Sequence, residues 1–147
     1  MAFNQSLAFG FVGGVEAAYV TVDSSILAFN VSNAETAAVP DDIKSGSGYL
    51  FGANNLIIAS SSAIPPDTIS ACPRLGPLLD NGGRTKTHAL LPASPAIDMG
   101  NGVAPLDFDQ RGVSFTRQFG AGIDIGAYEH IDGSGDVINQ SKFEACE

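Results

Sequence analysis

SSILAFN at Ser24–Asn30 and NNLIIAS at Asn54–Ser60 carry the reading of the fold. Each opens on two small polar residues, runs through apolar residues and stops on a polar one. Ile26 and Leu56 lie 30 residues apart. A solenoid coil carrying one long loop gives such an offset. The apolar residues are consecutive rather than alternating. That suits strands covered by neighbours above and below. Asn30 and Asn55 are candidates for asparagines stacked inside successive turns; a plain turn role is the alternative.

Outward from these segments the pattern continues. Ala18–Val22, Gly48–Phe51 and Leu56–Ala59 read as further short strands, and Asn30–Ser47 as a polar loop around Pro40, Asp41 and Asp42. No stretch shows a sustained helical period with caps. From Ile64 prolines recur at 65, 66, 73, 77, 92, 95 and 105, so no long regular element is expected there. Asp80-Asn81-Gly82-Gly83 calls for backbone at positive φ. Ile123–Tyr128 is the clearest late strand, and Asp132–Asp136 reads as linker. The expected organisation is terminal coils over 1–63, a capping module over 64–130 and a tail over 131–147.

Composition bounds the function. The 147 residues are one domain's length. The chain is 44% hydrophobic and 16% charged, which separates it from a disordered acidic tail. Seven basic against sixteen acidic residues give a net charge of −9, which argues against nucleic acid and anionic membranes as partners. No apolar run spans a membrane. The first basic residue is Lys44, so Met1–Val15 lacks the positive region of a signal peptide. The expectation is a chain that continues a longer one. Cys72 and Cys146 are either a disulfide that closes a long loop, for about 4 kcal/mol, or two separate thiols.

LGPLLDNGGRTKTHALLPASPAIDMGN (Leu75–Asn101), DQRGV (Asp109–Val113) and DIGAYE (Asp124–Glu129) stand in order within 55 residues. Together they resemble the C-terminal module of bacterial β-helix repeat proteins of the choice-of-anchor Q or CSLREA type. The upstream SSILAFN and NNLI look like that family's last coils, and DVINQSKFEACE is loosely similar to its short C-terminal tail. The chain departs from the family at Arg84, where proline is usual. It also holds room for only about three coils of roughly 20–30 residues. The resemblance implies an all-β fold: a right-handed parallel β-helix (pectin-lyase-like) fragment with a loop-rich C-terminal cap. It implies a secreted or cell-surface bacterial protein, adhesin-like and without catalysis of its own. Its partners would be upstream coils of a longer chain or a second copy, with surface carbohydrate as a further candidate.

The residues of the module read as structural. Asp80, Asn81, Gly82 and Gly83 form a turn. Ser94-Pro95-Ala96-Ile97-Asp98 fits a short helical turn, with Ser94 as N-cap, Ile97 inward and Asp98 near the positive end of the dipole. Arg111, before Gly112, is expected to pair with Asp124 or Glu129 and pin the strand that contains Gly126. His88 and His130 read as structural, and nothing places them together for zinc. Asp98, Asp109 and Asp124 are candidates for calcium, the one cofactor these acids admit. Two enzymatic readings compete. Arg111 could serve as a base in a polysaccharide lyase. Alternatively, the acids Asp98, Asp107, Asp109, Asp124 and Glu129 could form a hydrolase pair. A calcium-stiffened carbohydrate-binding module is the third reading.

Overall fold

The computed structural model describes residues 5–6, 14–34, 37–102 and 106–131. Those residues are all-β, with no helix among them. They fall into two compact units, Met1–Ala71 and Cys72–Glu147.

Among the described residues the first unit holds nine short strands: β1 (Gln5–Ser6), β2 (Val15–Ala17), β3 (Val20–Thr21), β4 (Ile26–Leu27), β5 (Val31–Ala34), β6 (Ala37–Pro40), β7 (Ile43–Ser45), β8 (Leu50–Phe51) and β9 (Leu56–Ile57). The repeat read from the sequence is a register. β4 pairs with β9 in parallel, Ile26 opposite Leu56. β3 pairs with β8, Val20 opposite Leu50. β2 pairs with β7, Val15 opposite Ile43. Parallel bridges carry each row to a third pass, through Ile43 to Ser60, Tyr49 to Ala63 and Leu56 to Ile69. Three parallel rows therefore run through three successive passes of the chain, at the ~4.8 Å spacing of paired strands. Val20, Ile43, Leu50 and Ile57 meet inside as a buried cluster, with Val22 and Leu27 packed on it. Each pass gives only a few such residues, so burial comes from stacking passes rather than from any one of them.

The first step between passes is longer than the second because of a hairpin. β5 and β6 pair antiparallel, from Val31 opposite Pro40 to Ala34 opposite Ala37. This segment was expected as polar loop. The hairpin absorbs most of the extra residues, and β7 follows it directly. The sequence of the hairpin lacks the Asn-Gly or Asp-Gly signal that marks a tight hairpin.

Aspartates hold the corners between passes. Asp42 is buried; its Oδ1 accepts from the Asn30 backbone N–H (2.8 Å) and Nδ2 (3.0 Å), and its Oδ2 accepts from Ala59 N–H (2.9 Å). One carboxylate thus ties three passes together. Asp23 accepts from Ala53 N–H (2.8 Å), Asp41 from Ser61 N–H (3.1 Å) and Asp67 from Asn54 N–H (2.9 Å). Such charge-assisted bonds satisfy backbone donors that turn out of the rows. Asn30 and Asn55 are both buried but do not stack on one another. Asn55 sits in register with Ser25, whose N–H it accepts at 3.0 Å, and donates to Val22 O at 2.7 Å. Ser24 and Asn54, one pass apart, both adopt left-handed backbone (φ 45° and 54°). The rows thus repeat down to their turns.

The second unit contains β10 (Leu75–Leu79) and β11 (Thr87–Leu90), antiparallel, with an irregularity between Leu75 and Leu78. The segment 64–71, expected in the capping module, belongs to the first unit, where Ile69 closes the row on Leu56. Ser94–Asp98 is a single turn, Ile97 N–H bonding to Ser94 O at 3.2 Å, and no helix follows it among the described residues. Ser94 Oγ accepts from Ala96 N–H (3.2 Å) and donates to Pro73 O (2.6 Å), so it caps as expected. Ala96 is fully buried there, with Ile97 only half-buried, and Asp98 is left-handed (φ 58°). Cys72 is disulfide-bonded; Cys146 lies outside the described residues, as does the tail beyond 131. Among the described residues no helix is long and apolar enough to cross a membrane.

Candidate functional site

The segment Ile123–Tyr128 is not the strand its composition predicts, and the chain runs on through Glu129 and His130 in the same irregular form. Only Ile123 makes a ladder bridge, to Gly100, and the chain bends at Gly126 (φ 104°). Backbone bonds remain at Ile125 N–H to Ala96 O (2.8 Å) and Gln110 N–H to Ala127 O (3.0 Å), and side chains take much of the rest. Arg117 Nη2 donates to the carbonyls of Asp124 (3.1 Å) and Gly126 (3.0 Å). Arg111 Nη2 donates to the carbonyl of Glu129 (2.8 Å). Glu129 N–H goes to Asp109 Oδ2 (2.9 Å), Asp124 N–H to Glu129 Oε2 (3.1 Å) and His130 N–H to Asp124 Oδ2. Charged side chains do here what a neighbouring strand does elsewhere.

Those side chains form one buried cluster. Arg111 donates from Nε and Nη2 to Asp109 Oδ2 at 2.9 and 2.7 Å. Its guanidinium lies between two rings, 4.1 Å from the centre of Phe115 and 3.8 Å from that of Tyr128. A planar cation suits that slot in a way an ammonium does not. Arg117 Nη1 pairs with Glu129 Oε2 at 3.1 Å, and Glu129 Oε1 accepts from Phe119 N–H at 2.9 Å. Asp124 accepts from Asp98 N–H at 2.8 Å, and Asp98 Oδ1 in turn accepts from Gly122 N–H at 2.7 Å. Asp124 and Glu129 have no exposed surface. Burial pushes the Glu129 carboxyl up to about 7, against the pull of the Asp124 and Phe119 N–H groups and Arg117. Burial likewise raises Asp124, against the N–H groups of His130 and Asp98.

The turn at Asp80–Gly83 is fitted to this cluster. Asp80 Oδ1 accepts from Gly82 N–H (3.0 Å), and Asn81 Nδ2 donates to Thr87 O (2.9 Å). A Cβ on Gly83 would lie 2.6 Å from Arg111 Cα, and one on Gly82 2.7 Å from the Phe115 ring. Glycine is needed here for approach as well as for the left-handed φ of Gly82. His88 Nδ1 is 2.7 Å from Gly76 O, a structural contact. Gly112 is left-handed (φ 88°) with open space around it.

The structure therefore gathers Gly83, Asp98, Asp109, Arg111, Asp124 and Glu129 around one network. Arg111 takes Asp109 as its carboxylate partner, in place of the expected Asp124 or Glu129. The residue that does pair with Glu129 is Arg117, which the sequence reading missed. Its signal was arithmetic: the chain has seven basic residues, and several acids in these motifs had to share them. Phe115, one face of the arginine slot, was missed as well.

Chemically the cluster is closed. Two carboxyl groups in a sugar-cleaving site must reach a sugar across a cleft; Asp124 and Glu129 present no surface to one. The calcium candidates Asp98, Asp109 and Asp124 accept from N–H groups or a guanidinium, and among the described residues no three His, Cys, Asp or Glu side chains are arranged to hold a metal ion. The first unit offers a different kind of surface. Tyr19 and Tyr49 are exposed on one face, one pass apart, beside exposed Phe51. No family model, no curated protein and no solved structure matches the chain.

Proposed function

We propose that this chain is the C-terminal part of a secreted or cell-surface parallel β-helix protein, adhesin-like, in which Cys72–Glu147 serves as the terminal cap and carries out no catalysis. The observation that carries this reading is the set of three parallel rows through three passes of the chain. Parallel rows joined by crossovers are right-handed in nearly all known cases, so the coil is read as a right-handed β-helix. The last pass of such a stack presents unpaired N–H and C=O groups, a template for aggregation unless covered. The second unit suits a covering role because backbone groups of Asp124, Gly126, Glu129 and His130 that no strand pairs are bonded to charged side chains. Upstream coils of a longer chain are the natural partner at the other end.

The test is a comparison of the full chain with one ending at Ala71. The shortened chain is expected to sediment as large, dye-binding aggregates at concentrations where the full chain stays monomeric. A short chain that remains monomeric and soluble would overturn the capping role.

The exposed Tyr19, Tyr49 and Phe51 favour a second reading, in which the first unit binds neutral surface carbohydrate. Aromatic faces stack on sugar rings, and this unit contains a single basic residue, Lys44, which is paired with Glu16 at 3.0 Å. Polyanionic glycans are therefore poor ligands. Retention on a panel of neutral polysaccharides is expected to fall at least tenfold in Tyr19→Ala/Tyr49→Ala, with folding unchanged. Cleavage of any member of that panel, or of a polyuronate panel, would instead favour a lyase or hydrolase.

A further inference from the structure

The buried network of the second unit holds more carboxylates than cations. Asp109 is matched by Arg111 and Glu129 by Arg117. Asp124, fully buried, meets neither guanidinium with its carboxylate and is held by the N–H groups of Asp98 and His130. Among the described residues no third Lys or Arg side chain forms an ion pair with this network. Around Glu129 stand Arg117, Asp124 and the Asp109–Arg111 pair. Around Asp124 stand Asp98, Glu129 and His130. Asp107 meets the cluster only through its carbonyl, which accepts from Arg117 N–H, and its side chain is exposed. A buried site with one surplus negative charge is relieved by taking up a cation, and the smallest available is a proton.

We propose that this cluster is a proton-binding clamp: the second unit takes up a proton as it folds, stays locked at mildly acidic pH and loosens as the pH passes neutrality. Glu129 is the seat of the proton, because Asp124 stands beside it and burial disfavours two charges there. The upward displacement of Glu129, from 4.5 to about 7, agrees in sign. An acid with a folded-state value above its unfolded one opposes folding once ionised. Its favourable contribution is complete below about pH 4.5 and is lost as pH rises through about 7. For that displacement the opening equilibrium of the second unit rises roughly 70-fold between pH 5 and pH 8.

The experiment is a pH series on the full chain. Urea unfolding, followed by tyrosine near-ultraviolet circular dichroism, is expected to give a midpoint that falls from pH 5 to pH 8. Glu129→Gln, a permanent stand-in for the protonated acid, is expected to remove most of that fall. A midpoint that is flat or rises with pH overturns the clamp, as does a Glu129→Gln chain with an unchanged slope. Should Glu129→Gln fail to fold, the carbon chemical shift of the Glu129 carboxyl in the unmodified chain decides the matter. A titration midpoint between about 6 and 8 supports the clamp, and one at or below about 4.5 overturns it.

Discussion

Arg111→Ala is expected to lower the stability of the second unit by about 3–5 kcal/mol, the cost of stranding a buried charge when its partner is removed. The buried Asp109 carboxylate loses its cation, the Glu129 carbonyl loses a donor and the slot between Phe115 and Tyr128 is emptied. These losses fall on one network, so unfolding should be cooperative across Asp109–His130 and visible as loss of the Tyr128 near-ultraviolet signal. Arg111→Lys is expected to recover less than half of the stability. An ammonium keeps the charge but cannot reach Asp109 and the Glu129 carbonyl from one plane while lying flat between two rings. Denaturation in urea, with both variants beside the parent, checks the pair. A loss below about 1 kcal/mol for Arg111→Ala would mean that water reaches Asp109 and that the cluster is not desolvated.

The second large effect is expected in the first unit, from Gly52→Ala. Gly52 has φ 107°, and a Cβ there would lie 1.8 Å from the backbone oxygen of Val22 in the neighbouring pass. No rotamer change relieves a clash with a main-chain atom, so two passes must separate where Val22 N–H bonds to Phe51 O at 2.9 Å. The expected cost is about 3 kcal/mol or more, as strain adds to overpacking. Gly48 supplies the control. It is also left-handed (φ 82°), but a Cβ there meets nothing within 4 Å. Gly48→Ala is expected to cost about 1 kcal/mol, from backbone strain alone. Equal losses at both positions would show that the passes are not packed as closely as the parallel register requires.

How far the sequence could be read depends on what kind of force holds each part. The offset of Ile26 with Leu56 was legible, because stacked passes need the same residue type at the same corner; Val20 with Leu50 keeps the same step but stands in segments without matching letters. Asn55 was legible as an inward residue for the same reason, although its partner is Ser25 rather than another asparagine. The hairpin at Val31–Pro40 was not, since the sequence VSNAETAAVP carries no glycine between its arms and is mostly alanine and small polar residues, with no strict alternation. Ile123–Tyr128 misled for a deeper reason. Its apolar residues do enter a core, with Ile125 and Tyr128 buried, but arginines and carboxylates from elsewhere in the chain outbid a strand for its backbone. Long-range charge pairing leaves no periodic trace, so Arg117 and Asp42 looked like ordinary surface residues.

The antiparallel hairpin has a consequence for how such a chain changes over time. Its first arm pairs in parallel with β1, Gln5 opposite Val31 and Ser6 opposite Ser32, and beyond that pairing its two arms are bonded to each other as they run to the tip. Lengthening or shortening it at the tip by whole pairs, beyond Ser32 and Val39, would shift no register among the parallel rows, whereas one residue added within β3 or β8 would turn every neighbouring side chain inside out. Indels and new epitopes should therefore collect in this hairpin, leaving the stack itself nearly constant in length. For an engineer it is the natural place to graft a foreign peptide.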